Sequence, residues 1–245
     1  MQTCFQENSN LNFWTKNNVV LILNFFMSPI LDFIQQQNIR ALLFDLNGTM
    51  VHDMPYHTRA WHQIFVSMGV DISYEDTKKE CYGKNEEVIE RVMPGQFPLE
   101  VRTEMGWKKE ALYRKEFEAE LGLIPGLAGF LENARSQNLR MAVGSAAIRE
   151  NIDFVLDGCN IRHYFDALIS ADDVIKSKPH PETFLKCAER LGTSPDECLV
   201  FEDTPKGVEC AVNAGMKTVV LLTTHERHEF LPYADWVVDY IHDYK

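Results

Sequence analysis

Ile39-Arg40-Ala41-Leu42-Leu43-Phe44-Asp45-Leu46-Asn47-Gly48-Thr49-Met50 is the stretch whose reading decides the fold of this chain. An apolar, strand-like run delivers Asp45 at its carboxyl end, and an Asn-Gly pair and a hydroxyl follow at once. In open α/β sheets ligands bind at the carboxyl ends of strands, so an acid there stands where chemistry is done. Asp-x-Asn-Gly is equally ordinary turn and helix-start chemistry, and alone the stretch leaves both readings open.

Working outward, Ile39 to Phe44 is a continuous apolar run of the kind a buried parallel strand shows. From about His52 to Leu121 the pattern is helical and rich in charge, with breaks at Gly69, Gly83 and Met93-Pro94-Gly95; between two strand signals this block reads as a helical insertion. After Pro125-Gly126 strands and helices alternate. The strand signals are Arg140–Gly144, Ala167–Ile169, Cys198–Phe201 and Lys217–Leu222. The helical ones are Leu127–Gln137, a segment through Ile152–Leu156, one opened by Pro181-Glu182-Thr183 and ending near Gly192, and Gly207–Ala214. Such alternation predicts an α/β fold with a parallel sheet covered on both faces.

The 245 residues, 45% hydrophobic and 24% charged, suit one large domain or a core with an inserted module. A net charge of −12 argues against a broad nucleic-acid surface, which needs clustered Lys and Arg, but leaves room for a small anionic substrate. The six cysteines (Cys4, Cys81, Cys159, Cys187, Cys198 and Cys210) are scattered without a Cys-x-x-Cys pair, as for reduced thiols of a cytoplasmic protein. Val19–Phe26 is apolar but far shorter than the roughly 18 residues a membrane span requires. Residues 1–38 are expected to be an extension, with Met27 a candidate start and Ser28–Gln37 a short lead-in or loose helix; a targeting segment is the alternative.

Four polar groups stand in equivalent places, each after a strand: Asp45, Ser145, Lys178 and the pair Glu202-Asp203. Strand ends of one sheet converge on one crevice, and these groups make chemical sense together. A carboxylate nucleophile attacks phosphorus, a hydroxyl and an ammonium hold the non-bridging oxygens, and a carboxylate cluster holds Mg²⁺. Singly, Ser145 reads as a helix cap, Lys178 as a loop charge and Glu202-Asp203 as helix-start acids.

The ordered set Asp45-Leu46-Asn47-Gly48-Thr49, Gly144-Ser145-Ala146, Ser177-Lys178-Pro179-His180-Pro181-Glu182 and Phe201-Glu202-Asp203-Thr204 with Gly207 resembles the haloacid dehalogenase superfamily. Pro55-Tyr56-His57-Thr58-Arg59-Ala60-Trp61 is similar to the cap entry of its β-phosphoglucomutase-like branch. The resemblance implies a Rossmann-like core over 39–51 and 122–245 and a helical cap over 52–121, inserted after the first core strand. It further implies a phosphoaspartyl intermediate on Asp45, with Ser145 and Lys178 on the phosphoryl group. Mg²⁺ would bind Asp45, the backbone carbonyl of Asn47 and Asp203, with Glu202 close by. Cap closure would exclude water and choose the substrate. His57, Trp61, Lys84, Lys109, Ala146 and Arg149 are the candidate substrate-binding residues. A small phosphorylated metabolite is the expected partner, with no nucleic acid and no membrane, and a monomer is expected.

The sequence departs from the family pattern twice. The family's phosphatases and mutases carry a second Asp two residues after the nucleophile as general acid and base; here that residue is Asn47. An amide hydrogen-bonds but does not cycle a proton near neutral pH, and such help is typically worth about 10²- to 10⁴-fold. Three outcomes follow. The enzyme is restricted to good leaving groups, or a group such as His57 supplies the proton, or the chain is a weakly active phosphometabolite-binding protein. Asn-Gly is also prone to deamidation, which would create an acid at 47. In the cap, the mutases place an Arg shortly after the loop Gly, whereas Gly83-Lys84-Asn85-Glu86-Glu87 puts acid there, with Lys84 as a candidate substitute and Lys109 where the family has a cap lysine. A convincing Schiff-base lysine for a phosphonatase is lacking, and a dehalogenase would surround its nucleophile differently. The leading expectation is a phosphatase of small phosphorylated metabolites, with a β-phosphoglucomutase-like sugar phosphomutase as the alternative.

Overall fold

The computed structural model describes residues 28–245. Six parallel strands form one sheet: β1 (Ala41–Phe44), β2 (Arg140–Gly144), β3 (Ala167–Ile169), β4 (Cys198–Glu202), β5 (Lys217–Leu221) and β6 (Val237–Ile241), in the order β3-β2-β1-β4-β5-β6. β1 lies at the centre and is buried along its whole length, which is why it reads as an unbroken apolar run. Its alternating side chains serve two cores. Leu42 and Phe44 join Met141, Val143, Leu199 and Phe201 beneath α6 (Leu127–Ser136) and α7 (Arg149–Gly158). Ala41 and Leu43 join Ala142 and Val200 on the other face, beneath α8 (Glu182–Leu191) and α9 (Pro205–Asn213). The period of two along the strand thus makes the layered α/β architecture.

Register aligns the strand ends. Phe44 pairs with Val143 on one side and with Phe201 on the other, and the Phe44 and Phe201 rings stack with centroids 4.7 Å apart. Asp45, Ser145 and Glu202 therefore emerge at one edge.

Between β1 and α6 lie four helices, α2 (Met54–Ser67), α3 (Tyr74–Glu80), α4 (Asn85–Val92) and α5 (Leu99–Phe117). The intervening turns carry Gly69 and Gly83 and the Met93-Pro94-Gly95 break. Trp61, Phe65, Val88, Ile89, Met93 and Met105 give this block a small core of its own, while Tyr113 and Phe117 of α5 root it in the main core.

β6 lies beyond the sequence reading, and the lead-in expected as a short segment or loose helix is a packed one. β6 is half-buried along its length and follows the irregular 3₁₀ stretch Arg227–Trp236, so no local pattern announces it; pairing with β5 creates it. The lead-in is a formed helix, α1 (Ser28–Gln36), that buries Ile30 and Ile34 in the main core and lies against β6. The apolar Val19–Phe26 segment lies outside the described residues. Among the described residues no helix is long and apolar enough to cross a membrane.

Candidate active site

β1 delivers Asp45 into a buried polar cluster. Lys178 Nζ donates to Asp45 Oδ1 and Glu202 Oε1, both at 2.7 Å. The other Glu202 oxygen accepts from the backbone N–H of Asp203 (2.7 Å) and Thr204 (2.8 Å) and from Thr204 Oγ1 (3.1 Å), so this side chain is fully held. Asp203 accepts from Thr49 Oγ1 at 3.1 Å and from Thr224 Oγ1 at 2.5 Å. Gly48, at φ +75°, passes so close to Asp203 that a Cβ there would overlap its carboxylate, so the glycine of the motif is a packing requirement as well as a turn residue.

Oxygens of Asp45, Glu202 and Asp203 lie within 4.8 Å of one another, all three residues buried. Three carboxylates against one ammonium leave the cluster short of positive charge. Burial, with Glu202 and Asp53 adding to it, outweighs Lys178 and pushes the Asp45 carboxyl up to about 6. Burial and the charges of Glu202 and Asp45 raise Asp203 as well. Burial alone would lower Lys178, but Asp45 and Glu202 hold its ammonium above the usual lysine range. An all-oxygen donor set with excess negative charge suits a hard divalent cation such as Mg²⁺.

A cavity of about 150 Å³ opens above the cluster. The core lines it with Asp45, Ser145, Ala146, Lys178 and Glu202, and the helical block with His57, Trp61, Lys109 and Glu110. Ser145 is buried, its Oγ accepting from Ala147 N at 3.2 Å.

The block's polar groups form one chain that starts at Asn47. Its Nδ2 donates to Asp53 Oδ2 at 2.5 Å and stands 3.0 Å from His57 Nε2. His57 Nδ1 is 2.6 Å from Lys109 Nζ, which also bonds Glu110 Oε1 at 3.0 Å; the other Glu110 oxygen accepts from Asn151 Nδ2 at 2.7 Å. A neutral imidazole has one N–H and one lone pair, so it accepts from only one of the two donors that flank it, Asn47 Nδ2 and Lys109 Nζ. The His57 ring stacks on Tyr113, whose hydroxyl donates to Asp53 at 2.7 Å. Burial would raise Glu110, but Lys109, His57 and Asn151 overcome it and hold the carboxyl down at about 2.

The structure brings together Asp45, Asn47, Ser145, Ala146, Lys178, Glu202, His57, Trp61 and Lys109 around the cavity, with Asp203 beneath. It does not bring Lys84 or Arg149 there. Lys84 Nζ reaches the Val174 carbonyl at 2.5 Å, and the Arg149 guanidinium bonds the Leu168 carbonyl at 3.2 Å and Asp173 at 3.4 Å. Sequence reasoning passed over Asp53, Glu110, Asn151 and Thr224. Glu110 had a signal, adjacency to Lys109; Thr224 had none, because only the packed β5 end carries it to Asp203. The five cysteines among the described residues are free, and burial pushes the Cys81 and Cys210 thiols up to about 12, so none is an activated nucleophile.

Residues 42–221 match the model of the haloacid dehalogenase-like hydrolase family. The chain is 31% identical over 184 residues to fructose-1-phosphate phosphatase YqaB of Escherichia coli, covering 73% of this chain and 94% of that protein. It is 29% identical to hexitol phosphatase B of Escherichia coli over 76% of this chain and 84% of that one. Among solved structures, β-phosphoglucomutase from Clostridium difficile superimposes with a TM-score of 0.73 at 28% identity, over 82% of this chain and 91% of that one. The family model, these relatives and the six-stranded parallel core agree: this chain belongs to the haloacid dehalogenase-like hydrolases, in their β-phosphoglucomutase-like branch.

Proposed function

We propose that this protein is a Mg²⁺-dependent phosphatase of phosphorylated carbohydrates that works through a phosphoaspartyl group on Asp45. One observation carries the reading: a buried carboxylate, paired with Lys178 at 2.7 Å and clustered with Glu202 and Asp203, opens into a small cavity beside Ser145. Asp45 attacks the phosphorus, the bond from Asp45 oxygen to phosphorus forms, and the bond to the sugar oxygen breaks. Lys178 and Ser145 hold the non-bridging oxygens. Water then hydrolyses the acyl phosphate and restores Asp45. Asp45, Asp203 and the Asn47 carbonyl, with Glu202 close by, would hold Mg²⁺, which when bound offsets the repulsion between carboxylate and phosphate.

The departing sugar oxygen needs a proton that the Asn47 amide does not supply. His57, beside that amide and lining the cavity, is the titratable group placed to supply it. Residues 39–51 and 122–245 act as the catalytic core and 52–121 as a cap that selects substrate. The sugar-phosphate phosphatases among the relatives support a carbohydrate ester.

The test is phosphate release from a panel of hexose and hexitol monophosphates with Mg²⁺, after EDTA, and in Asp45→Asn. Release is expected from one group of esters, lost in EDTA and in the variant. Turnover that survives Asp45→Asn overturns the mechanism. Isomerisation dependent on a bisphosphate activator replaces it with the mutase reading, and tight binding without turnover with a binding protein.

A further inference from the structure

Of the acids that follow Gly83 in the cap, where a sugar phosphomutase would carry a cation, Glu86 accepts from Thr103 within the cap and Glu87 is engaged with the core. Glu87 Oε2 accepts from the Lys84 backbone N–H at 3.0 Å, which caps the start of α4. Its other oxygen, Oε1, accepts from Ser177 Oγ of the core at 2.9 Å. Gly83, at φ +83°, leaves the room this carboxylate occupies, because a Cβ there would overlap it. Lys84 reaches across the same boundary to the Val174 carbonyl, at 2.5 Å. Lys206, at the start of α9, stands 3.3 Å over the Tyr82 ring of the cap.

Val174 and Ser177 bracket the segment that ends in Lys178. On its core side, the backbone N–H groups of Ile175 and Lys176 both donate to Glu182 at 3.0 Å, and Lys186 holds Glu182 at 2.8 Å. The segment that aims Lys178 at Asp45 is therefore held by α8, by the cap and, just past Lys178, by α9, where Asn213 Nδ2 donates to the Pro179 carbonyl and Cys210 Sγ to the His180 carbonyl, both at 3.0 Å. If the cap swings away, the bonds from Ser177 and to Val174 break and the support on the cap side is lost.

We infer that Glu87, Lys84 and Ser177 form a latch that couples cap closure to the placement of Lys178, and that they are positioning residues for phosphoryl transfer. The inference rests on the phosphatase reading above. Lys84, Glu87 and Ser177 do not line the cavity, so breaking the latch removes no substrate contact of theirs and loosens the ammonium that pairs the nucleophile. Its effect therefore falls on kcat and little on KM. The segment's flexibility follows the same logic, since a loop with fewer ties opens more readily than one with more.

The experiment uses full-length protein carrying Ser177→Ala, Ser177→Thr, Glu87→Ala and the double Ala change. Turnover of p-nitrophenyl phosphate is measured alongside hydrogen exchange of residues 174–178. Ser177→Ala leaves the α4 cap untouched, so it remains informative if Glu87→Ala folds poorly. Ser177→Ala and Glu87→Ala are each expected to lower kcat about tenfold, as the loss of one hydrogen bond to a charged group implies, with KM within about twofold. The double variant is expected to be no worse than the poorer single one, and Ser177→Thr to recover most of the rate, because it keeps the hydroxyl. Exchange across 174–178 should quicken in both Ala variants and not further in the double. Wild-type kcat in Ser177→Ala, multiplying losses in the double, or unchanged exchange overturns the latch. A wild type that releases no phosphate from any ester overturns the phosphatase reading instead, and the exchange data still test the latch.

Discussion

Asn47→Asp would return a carboxyl group to the position where the family carries its acid–base residue, but the surroundings here are built for an amide. Asn47 Nδ2 donates to Asp53 Oδ2 at 2.5 Å, and Asp53 is fully buried with its Oδ1 unpartnered. The substitution turns the donor into an acceptor and sets two carboxylates face to face. At 2.5 Å and an effective dielectric near 20 their repulsion is about 7 kcal/mol. That would consume much of the roughly 5–15 kcal/mol by which a domain is stable, so the pair at positions 47 and 53 takes up a proton instead. A carboxyl with a folded pKa above its unfolded value of about 3.9 binds its proton more tightly in the native state. The stability penalty is then small near pH 4, grows as pH rises through the raised pKa, and is complete above it. The lost bond to a charged acceptor is worth about 1.5–3 kcal/mol, and proton uptake adds to it at high pH. The variant is expected to be about 4 kcal/mol less stable than wild type at pH 8 and about 2 kcal/mol less at pH 5, read from urea unfolding. Its proton-holding carboxyl should also raise kcat about 10²-fold on sugar phosphates, which are poor leaving groups, and change p-nitrophenyl phosphate turnover little. Equal stability loss at both pH values would refute the Asn47–Asp53 bond. No gain in kcat on sugar phosphates would show that His57 by itself already meets the need for a proton. Intact mass and peptide mapping of the wild-type sample would check that position 47 is still Asn.

Two further substitutions probe the charge network and the glycine packing. Glu110 has its carboxyl held at about 2 against an ordinary 4.5, a difference worth about 3 kcal/mol. A depressed carboxyl contributes stability above its unfolded pKa and loses it as pH falls towards its folded one. Glu110→Gln should therefore be clearly less stable than wild type at pH 6, with the gap narrowing towards pH 2.5; a constant gap in urea melts would show that Lys109, His57 and Asn151 do not hold the charge. In Gly207→Ala the new Cβ runs into the Glu202 carboxylate, which Asp203 and Thr204 pin. A destabilisation of about 1–3 kcal/mol with a fall in kcat is expected, and unchanged Tm and kcat would show that Glu202 can swing aside.

Periodicity and turn chemistry are local, and what depends on them was legible in the chain. The apolar run into Asp45, the strand-then-polar pattern at Ser145 and Glu202, and the Gly and Pro breaks between α2 and α5 could be read residue by residue. β6 could not, because a half-exposed edge strand has no pattern that stands without its neighbour. Lys84 shows the limit at the site: its position after the cap-loop glycine suggested a phosphate grip, yet the ammonium spans to Val174.

What the sequence by itself determined is the alternation that makes a parallel sheet and the residue types that each strand end must present. Only the tertiary structure decided which of those groups meet. Thr224 reaches Asp203, Tyr244 donates to the Thr49 carbonyl at 3.0 Å, and Ser177 reaches Glu87 across the cap boundary. Asn47 belongs to both accounts. Its identity announced a missing proton carrier, but its neighbours are set by where α2 and α5 pack against β1, and that packing placed Asp53 and His57 against the amide. The physical reason is that hydrogen bonds and charge pairing act over a few ångströms of space, whatever the distance along the chain.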